Sequence, residues 1–344
     1  MNSNIIFLNE KLNALEFLNS YSSLFIIVDE NTEIHCLPIL INNFDKFNYN
    51  LIKIRAGEEF KNLNSCEFIW DNLLSNFVDR NSCIIALGGG VLCDITGFSA
   101  STILRGIDCV YIPTTLMAMA DASIGGKCGV NFKNFKNQLG SFKLPISILI
   151  YPPFLNTLNQ RHINNGSVEM IKHCLLEENI TSSILQRIEN MKDPHSLSSE
   201  LKKSILFKNK IVNKDFKETG LRKVLNFGHT IGHAIESLFL SQKKDALHGE
   251  CIAIGMICES FISSQLYGWK PEILQTIVQI LHEYTNGHNF KRSDFVDILM
   301  NLKHDKKSKN LAVGFSLLRE LGYPVVEIEV TEPLIIKSLE FYSN

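Results

Sequence analysis

The run Ile84–Leu87 ends in three consecutive glycines, Gly88-Gly89-Gly90, and a helical pattern takes over at Asp94–Leu104. A short apolar run that stops at glycines and hands the chain to a helix is half of a β-α-β unit. Such units build a parallel sheet with helices on its faces. Runs of the same kind lie at Phe25–Asp29, Leu51–Ile54, Cys109–Ile112 and Ile146–Tyr151, with helical periodicity at Cys66–Phe77. The alternation predicts a parallel-sheet α/β domain over residues 1–153. After Pro153 the pattern is helical almost throughout, at His162–Glu178, Leu221–Leu240, Glu250–Tyr267 and Pro271–Tyr284, so an all-helical domain is expected over 154–344. Lys192–Ser199, with its proline and serines, reads as a loop between helices. At 344 residues the chain exceeds what one hydrophobic core usually organises, in keeping with two domains.

Bulk charge narrows the partners. A net charge of −2 and a pI near 6.6 give no reason to expect nucleic acid or an anionic membrane. An anionic ligand must be met by lysines and arginines gathered locally. The opening MNSNIIFLNEKLNAL lacks the basic-then-apolar order of a secretion signal, and the apolar runs are too short for a membrane span. Nine cysteines without a C-x-x-C pair suit free thiols in a reducing cytoplasm.

Three stretches carry chemistry. In GHTIGH, His229 and His233 stand at i and i+4, which puts both imidazoles on one helical face. The H-E-x-x-H protease pattern would need Glu at Thr230, so metalloprotease hydrolysis is not expected. His248 opens the next helical pattern beside Gly249, which permits a tight approach. A carboxylate ligand is less determined. Glu169 lies in an apolar helical setting where an isolated carboxylate is costly unless paired or metal-bound, yet a surface pair with Lys172 or His173 is an equal reading. Two histidines and one carboxylate leave a coordination position open for substrate.

The glycine run fits a phosphate at a helix N-terminus in a Rossmann-like domain, and equally an ordinary strand–turn–helix. It is not G-x-G-x-x-G, because Cys93 stands in the third glycine's place. The third stretch, PTTLMAMADASIGGKCGVNFKNFKNQLG, gathers Thr114, Thr115, Asp121, Lys127, Lys136 and Asn137 around Gly125-Gly126. That chemistry suits a polar, anionic, hydroxylated ligand, although lysine-rich loops are commonly just solvated.

In this order the motifs resemble the 3-dehydroquinate synthases, cyclases of the shikimate pathway. The blocks GEEFK, GGGVLCDITGF, LRG, PTTLMAMADASIGGKCGVN, KNQLG, FLNTL, EMIKH, GLRKVLNFGHTIGHAIE, HGE and DKK carry the match from about Asp29 to Gly322. The resemblance implies NAD in the first domain. Asp29 and Asn31 correspond to adenosine-side contacts and Glu58 and Lys61 to ribose contacts. Gly89, Gly90, Val91 and Asp94 correspond to the pyrophosphate turn, with Thr114, Thr115, Lys127, Lys136, Phe154 and Thr157 completing the pocket. It implies a divalent metal, zinc or cobalt, on Glu169, His229 and His248. The positions that match substrate contacts are Asp121, Lys127, Lys136, Asn137, Lys172, Lys208, Arg222, Asn226, His233 and Lys306. Arg105 matches an arginine that reaches the neighbouring subunit, which implies a homodimer.

The activity implied is conversion of 3-deoxy-D-arabino-heptulosonate 7-phosphate, a sugar-acid phosphate, to 3-dehydroquinate and phosphate, with NAD regenerated each turnover. Arg and Lys answer the substrate's two anions. Asn159, Cys128 and Ser167 depart from the usual residues without removing a catalytic group. Three other readings compete. Sister cyclases that make an amino-shikimate precursor, a valiolone or an inosose are the nearest, and of these only the amino variant keeps Arg222, Asn226 and His233. A metal- and NAD-dependent polyol dehydrogenase would give net NADH. A non-catalytic binding protein would not need the metal and anion positions intact.

Overall fold

A computed structural model describes residues 3–8, 13–41, 48–133, 135–177, 183–304 and 314–343. The chain divides into two compact units, residues 1–163 and 164–344.

The first unit is built on six parallel strands, β1 (Asn4–Phe7), β2 (Leu24–Asp29), β3 (Tyr49–Ile54), β4 (Cys83–Gly88), β5 (Asp108–Pro113) and β8 (Ser147–Ile150), in the order β1-β8-β5-β4-β2-β3. Strands β6 (Lys127–Phe132) and β7 (Phe135–Phe142) form a separate antiparallel hairpin. Cys83–Gly88 is buried along its whole length, as a strand covered on both faces must be, which explains its unbroken apolar run. The connecting helices are α1 (Glu30–His35), α2 (Leu37–Ile41), α3 (Leu63–Ser75) and α4 (Gly90–Thr102). From β2 the chain crosses to β3 on one side, then returns over β2 to β4 on the other. The strand order therefore reverses between β2 and β4, and ligands of open α/β sheets bind outside the carboxyl ends of strands at such a point. Asp29 and Gly88 are the last residues of those two strands.

The second unit holds α5 (Gln160–Leu176, entered from the first unit), α6 (Ile184–Lys192), α7 (Pro194–Lys214), α8 (His229–Ser241), α9 (His248–Tyr267), α10 (Pro271–His282), α11 (Phe295–His304) and α12 (Glu332–Ser343). Helix α9 is buried on all sides from Gly249 to Ser260, the mark of a central helix. It shares a core with Ile231, Ile235 and Phe239 of α8, Ile298 of α11 and Leu339 of α12.

Several segments differ from the sequence reading. The expected all-helical part also carries an antiparallel pair, β9 (Gly314–Glu320) and β10 (Tyr323–Glu329). The supposed loop Lys192–Ser199 contains the start of α7. Pro194 occupies its first turn, where a missing N–H costs nothing, and Asp193 caps it. The supposed single helix Leu221–Leu240 is broken. A 3-10 turn over Leu221–Asn226 ends at Gly228, whose φ of 80° is left-handed, and α8 begins afresh at His229. Helix α4 starts at Gly90, within the glycines rather than after them.

Candidate active-site residues

Glycines bring the histidines together. A Cβ on Gly255 of α9 would lie 2.0 Å from the Gly228 carbonyl, and one on Gly249 would lie 2.2 Å from the Asn165 carbonyl. Only glycine allows α8 and α9 to approach so closely, and each helix places a histidine, His229 and His248, at its first residue. The buried Glu259 carboxylate accepts the N–H groups of Gly228 (2.6 Å) and Ile231 (3.0 Å), capping α8 from across the interface. Asn165 accepts the N–H of Gly249 at 2.6 Å and ties α5 to the start of α9.

Glu169 lies fully buried on α5, with Lys172 equally buried one turn on. The surface pair that the sequence left open is thus an interior ion pair: the Lys172 ammonium donates to Glu169 Oε2. Glu169 Oε1 has no hydrogen-bond partner and stands 3.5 Å from His229 Nε2 and 3.8 Å from His248 Nε2. The other nitrogen of each ring is engaged. His229 Nδ1 donates to the Phe227 carbonyl (3.2 Å), and His248 Nδ1 donates to Glu236 Oε2 (3.4 Å). Each ring thereby directs its Nε2 towards a carboxylate oxygen, an arrangement of ligand atoms that suits a cation. Ligands bound about 2.0–2.1 Å from one ion at the tetrahedral angle stand roughly 3.4 Å apart, so the donor set fits a divalent metal such as zinc. His233 lies beside them, its ring 5.1 Å from that of His229 and 5.7 Å from that of His248.

In the first unit, Gly89 is the N-cap of α4 and no side chain caps that end. Gly89, Gly90, Val91 and Asp94 are all partly exposed there, leaving backbone N–H groups presented at a helix N-terminus, as a pyrophosphate requires. A Cβ on Gly90 would come within 3.0 Å of Ala122 Cβ. Thr114 N–H donates to the Gly88 carbonyl (3.0 Å), Thr115 Oγ1 accepts from Ala118 N–H (3.1 Å), and Thr157 Oγ1 donates to the Phe154 carbonyl (2.7 Å). Buried Lys61 donates to Asp94 Oδ2 (2.5 Å) and to Asn137 Oδ1 (2.6 Å). Glu58 Oε1 accepts from Asn131 Nδ2 at 2.9 Å. Asp29 closes a capping box with Thr32 at the start of α1, and Asn31 is exposed on that helix.

The remaining expected residues are distributed as follows. Asp121 is partly buried, while Lys127 and Lys136 are exposed on the β6–β7 hairpin. Arg105 is exposed in a tight turn, with φ of 67° after Leu104 at 50°. Lys208 is buried on α7. Buried Arg222 donates through Nη1 to the Phe216 carbonyl (2.7 Å), and Asn226 Nδ2 donates to Glu218 Oε1 (2.9 Å). Asp215 accepts the backbone N–H groups of Arg222, Thr219 and Gly220, which pull its carboxyl down from 3.8 to about 2. Lys306 lies outside the described residues. The structure thus gathers Lys61, Asp94 and Asn137 in one network, and Glu169, Lys172 and the three histidines in another.

Sequence reasoning passed over Asn131, Asn165, Glu236 and Glu259. Glu236, three residues after His233, carried a signal, since a histidine ligand needs a partner for its second nitrogen. Glu259 gave none, because a carboxylate inside a helical apolar run reveals its role only when the facing helix start is known. All nine cysteines are buried free thiols. Burial pushes Cys66 up to about 11 and Cys174 up to about 12, so neither is poised as a nucleophile. No helix among the described residues is long and apolar enough to cross a membrane.

With the two networks in place, comparison with known proteins assigns the class. Residues 51–165 match the 3-dehydroquinate synthase N-terminal family model, and residues 166–308 match the 3-dehydroquinate synthase C-terminal model. The chain is 40% identical to a 3-dehydroquinate synthase of Parabacteroides distasonis, over 95% of this chain and 94% of that one. It is 38% identical to one of Endomicrobium trichonymphae, over 98% and 93%. A solved 2-epi-5-epi-valiolone synthase from Streptomyces hygroscopicus subsp. jinggangensis, with NAD+ and Zn2+ bound, superimposes with a TM-score of 0.87 at 25% identity, covering 99% of this chain and 97% of the other. The fold is shared also with a 2-deoxy-scyllo-inosose synthase complexed with carbaglucose-6-phosphate, NAD+ and Co2+, at a TM-score of 0.85 and 24% identity over 98% and 96%. The chain belongs to the 3-dehydroquinate synthase family.

Proposed function

We infer that the chain is an NAD-using lyase of the shikimate pathway that converts 3-deoxy-D-arabino-heptulosonate 7-phosphate to 3-dehydroquinate and phosphate. The observation that carries this reading is the buried Glu169 carboxylate facing the Nε2 atoms of His229 and His248, in a chain matched to this family over both units. Glu169, His229 and His248 would hold the divalent metal, which would supply Lewis-acid polarisation of substrate hydroxyls, and NAD in the first unit would supply reversible hydride chemistry without net oxidation.

The chain's own residues do the rest. Lys172 pairs with Glu169 Oε2 and leaves Oε1 facing the histidines. The Phe227 carbonyl and Glu236 fix the tautomers of His229 and His248. Gly89, Gly90 and Val91 offer backbone N–H groups to the dinucleotide phosphates, with Asp94, Glu58 and Lys61 beside them. Asp29, Asn31, Thr114, Thr115, Phe154 and Thr157 form the rest of its pocket. Lys127, Lys136, Lys208, Arg222, Asn226 and Lys306 answer the substrate's phosphate and carboxylate, and Asp121 and Asn137 meet its polar groups. His233, beside the metal ligands, transfers a proton or contacts the phosphate. Holding a flexible sugar acid in its reacting conformer is the protein's main contribution to rate. Exposed Arg105 supports a homodimer in which it reaches the partner subunit, and nine free thiols suit a reducing cytoplasm.

The test is direct. Protein loaded with zinc and NAD is given the heptulosonate phosphate, and phosphate and 3-dehydroquinate are measured. Both products should appear in equal amount. Folded, loaded protein that yields neither contradicts the reading.

A further inference from the structure

Asn131 sits where the β6–β7 ladder breaks register, between the pairs Val130–Leu139 and Phe132–Phe135. At such an irregularity, backbone groups lose their cross-strand partners. The Asn131 side chain replaces one: its Oδ1 accepts the N–H of Asn137 at 2.9 Å. Its Nδ2 donates to Glu58 Oε1 at 2.9 Å, and its backbone N–H donates to the Lys61 carbonyl at 2.8 Å. Asn137 has a φ of 52°, a left-handed conformation that asparagine adopts more readily than most residues and that the bond from Asn131 helps to hold. The Asn137 side chain in turn accepts from Lys61 Nζ. The side-chain amide therefore braces two residues, Glu58 and Asn137, while the backbone N–H of the same residue holds Lys61.

We infer that Asn131 is a positioning residue that sets Glu58, Lys61 and Asn137 jointly for the dinucleotide and the substrate. The inference rests on the reading of Glu58 and Lys61 as NAD contacts. The amide is needed because it donates on one side and accepts on the other. No aspartate meets both needs at neutral pH: an introduced carboxylate would still accept from Asn137 but would face the Glu58 carboxylate.

Two variants separate this role from a mere fastening of the hairpin. Asn131→Ala removes both side-chain bonds. Asn131→Asp keeps the bond to Asn137 and inverts the one to Glu58. NAD affinity is measured by calorimetry, with the melting temperature, bound metal and the KM and kcat for the heptulosonate phosphate. Both variants should bind NAD about tenfold more weakly, with KM raised more than kcat falls and metal content unchanged. In Asn131→Asp the affinity should recover as pH falls, because the protonated carboxyl can again donate to Glu58. Glu58, Lys61 and Asp94 are the charged groups around this position, so the wild-type protein is titrated in parallel.

Asn131→Asp with wild-type NAD affinity at neutral pH overturns the proposal, and this variant decides the matter if Asn131→Ala fails to fold. Affinity lost only in proportion to a fallen melting temperature, with no recovery at low pH, also overturns it. A wild-type protein that binds no NAD would instead remove the functional reading and the proposal together. Wild-type binding with unaffected variants removes the proposal alone.

Discussion

The two networks solve the problem of buried polarity in opposite ways. Around Glu169, ligand atoms converge: a buried carboxylate oxygen without a hydrogen-bond partner meets the Nε2 atoms of two rings whose Nδ1 atoms are engaged elsewhere. Around Lys61 the side chains satisfy one another, since the ammonium is shared between Asp94 and Asn137 and the Glu58 carboxylate takes an amide proton. Such a cluster of ligand atoms can be completed by a cation, and on the proposed reading metal binding and protein stability would be linked there. A self-satisfied network needs no ligand to fold. On the proposed reading it would flank the dinucleotide, with the backbone N–H groups at the α4 N-terminus facing the phosphates.

This contrast can be broken most severely at the metal. His229→Ala should lose the metal and lower turnover by about a thousandfold, roughly 4 kcal/mol of transition-state stabilisation. Elemental analysis and steady-state rates check it, and full metal occupancy in the variant would contradict the ligand assignment. Glu236→Gln tests the support behind His248 and should weaken metal binding by about 10- to 100-fold, read by titration against a competing chelator. The effect on NAD affinity should be small.

The opposite result is expected from the other network. Lys61→Met should weaken NAD binding by about tenfold while leaving the metal in place, which calorimetry and elemental analysis together would show. Loss of metal in this variant would erase the distinction drawn between the two regions. The smallest effect concerns Asp215, whose carboxyl is held down near 2 by the N–H of Arg222 and its neighbours. A depressed carboxylate pKa contributes stability that is present above the unfolded value of about 4 and is lost as pH falls towards about 2. The melting temperature of the wild type should therefore fall more steeply over that range than that of Asp215→Asn. Equal slopes would show that Asp215 is not the group responsible.

Much of this was legible in the chain itself. The parallel sheet could be read because fully buried strands leave continuous apolar runs, and Gly88–Gly90 marked the turn. The placing of His229 and His233 on one helical face could be read from spacing, and His248 stood out beside its glycine at a helix start. What remained hidden depends on neighbours distant in sequence. Glu169 had two equal readings until its burial was known. The break at Gly228 was missed because a left-handed glycine interrupts a helix without disturbing its apolar periodicity. The start of α7 was missed because Pro194 marks both loops and first helical turns. Asn131 looked like one more polar residue in a lysine-rich stretch, since its importance lies in three partners that the hairpin and the segment near Lys61 bring to it.

On the proposed reading, a metal and a recycled NAD together drive loss of phosphate. The most direct measurement counts phosphate released per NAD, with NAD held far below the concentration of heptulosonate phosphate in a zinc-loaded preparation. Many phosphates per NAD, with 3-dehydroquinate in equal amount and no accumulating NADH, are predicted. Accumulation of NADH in step with substrate consumed, without phosphate release, would contradict it.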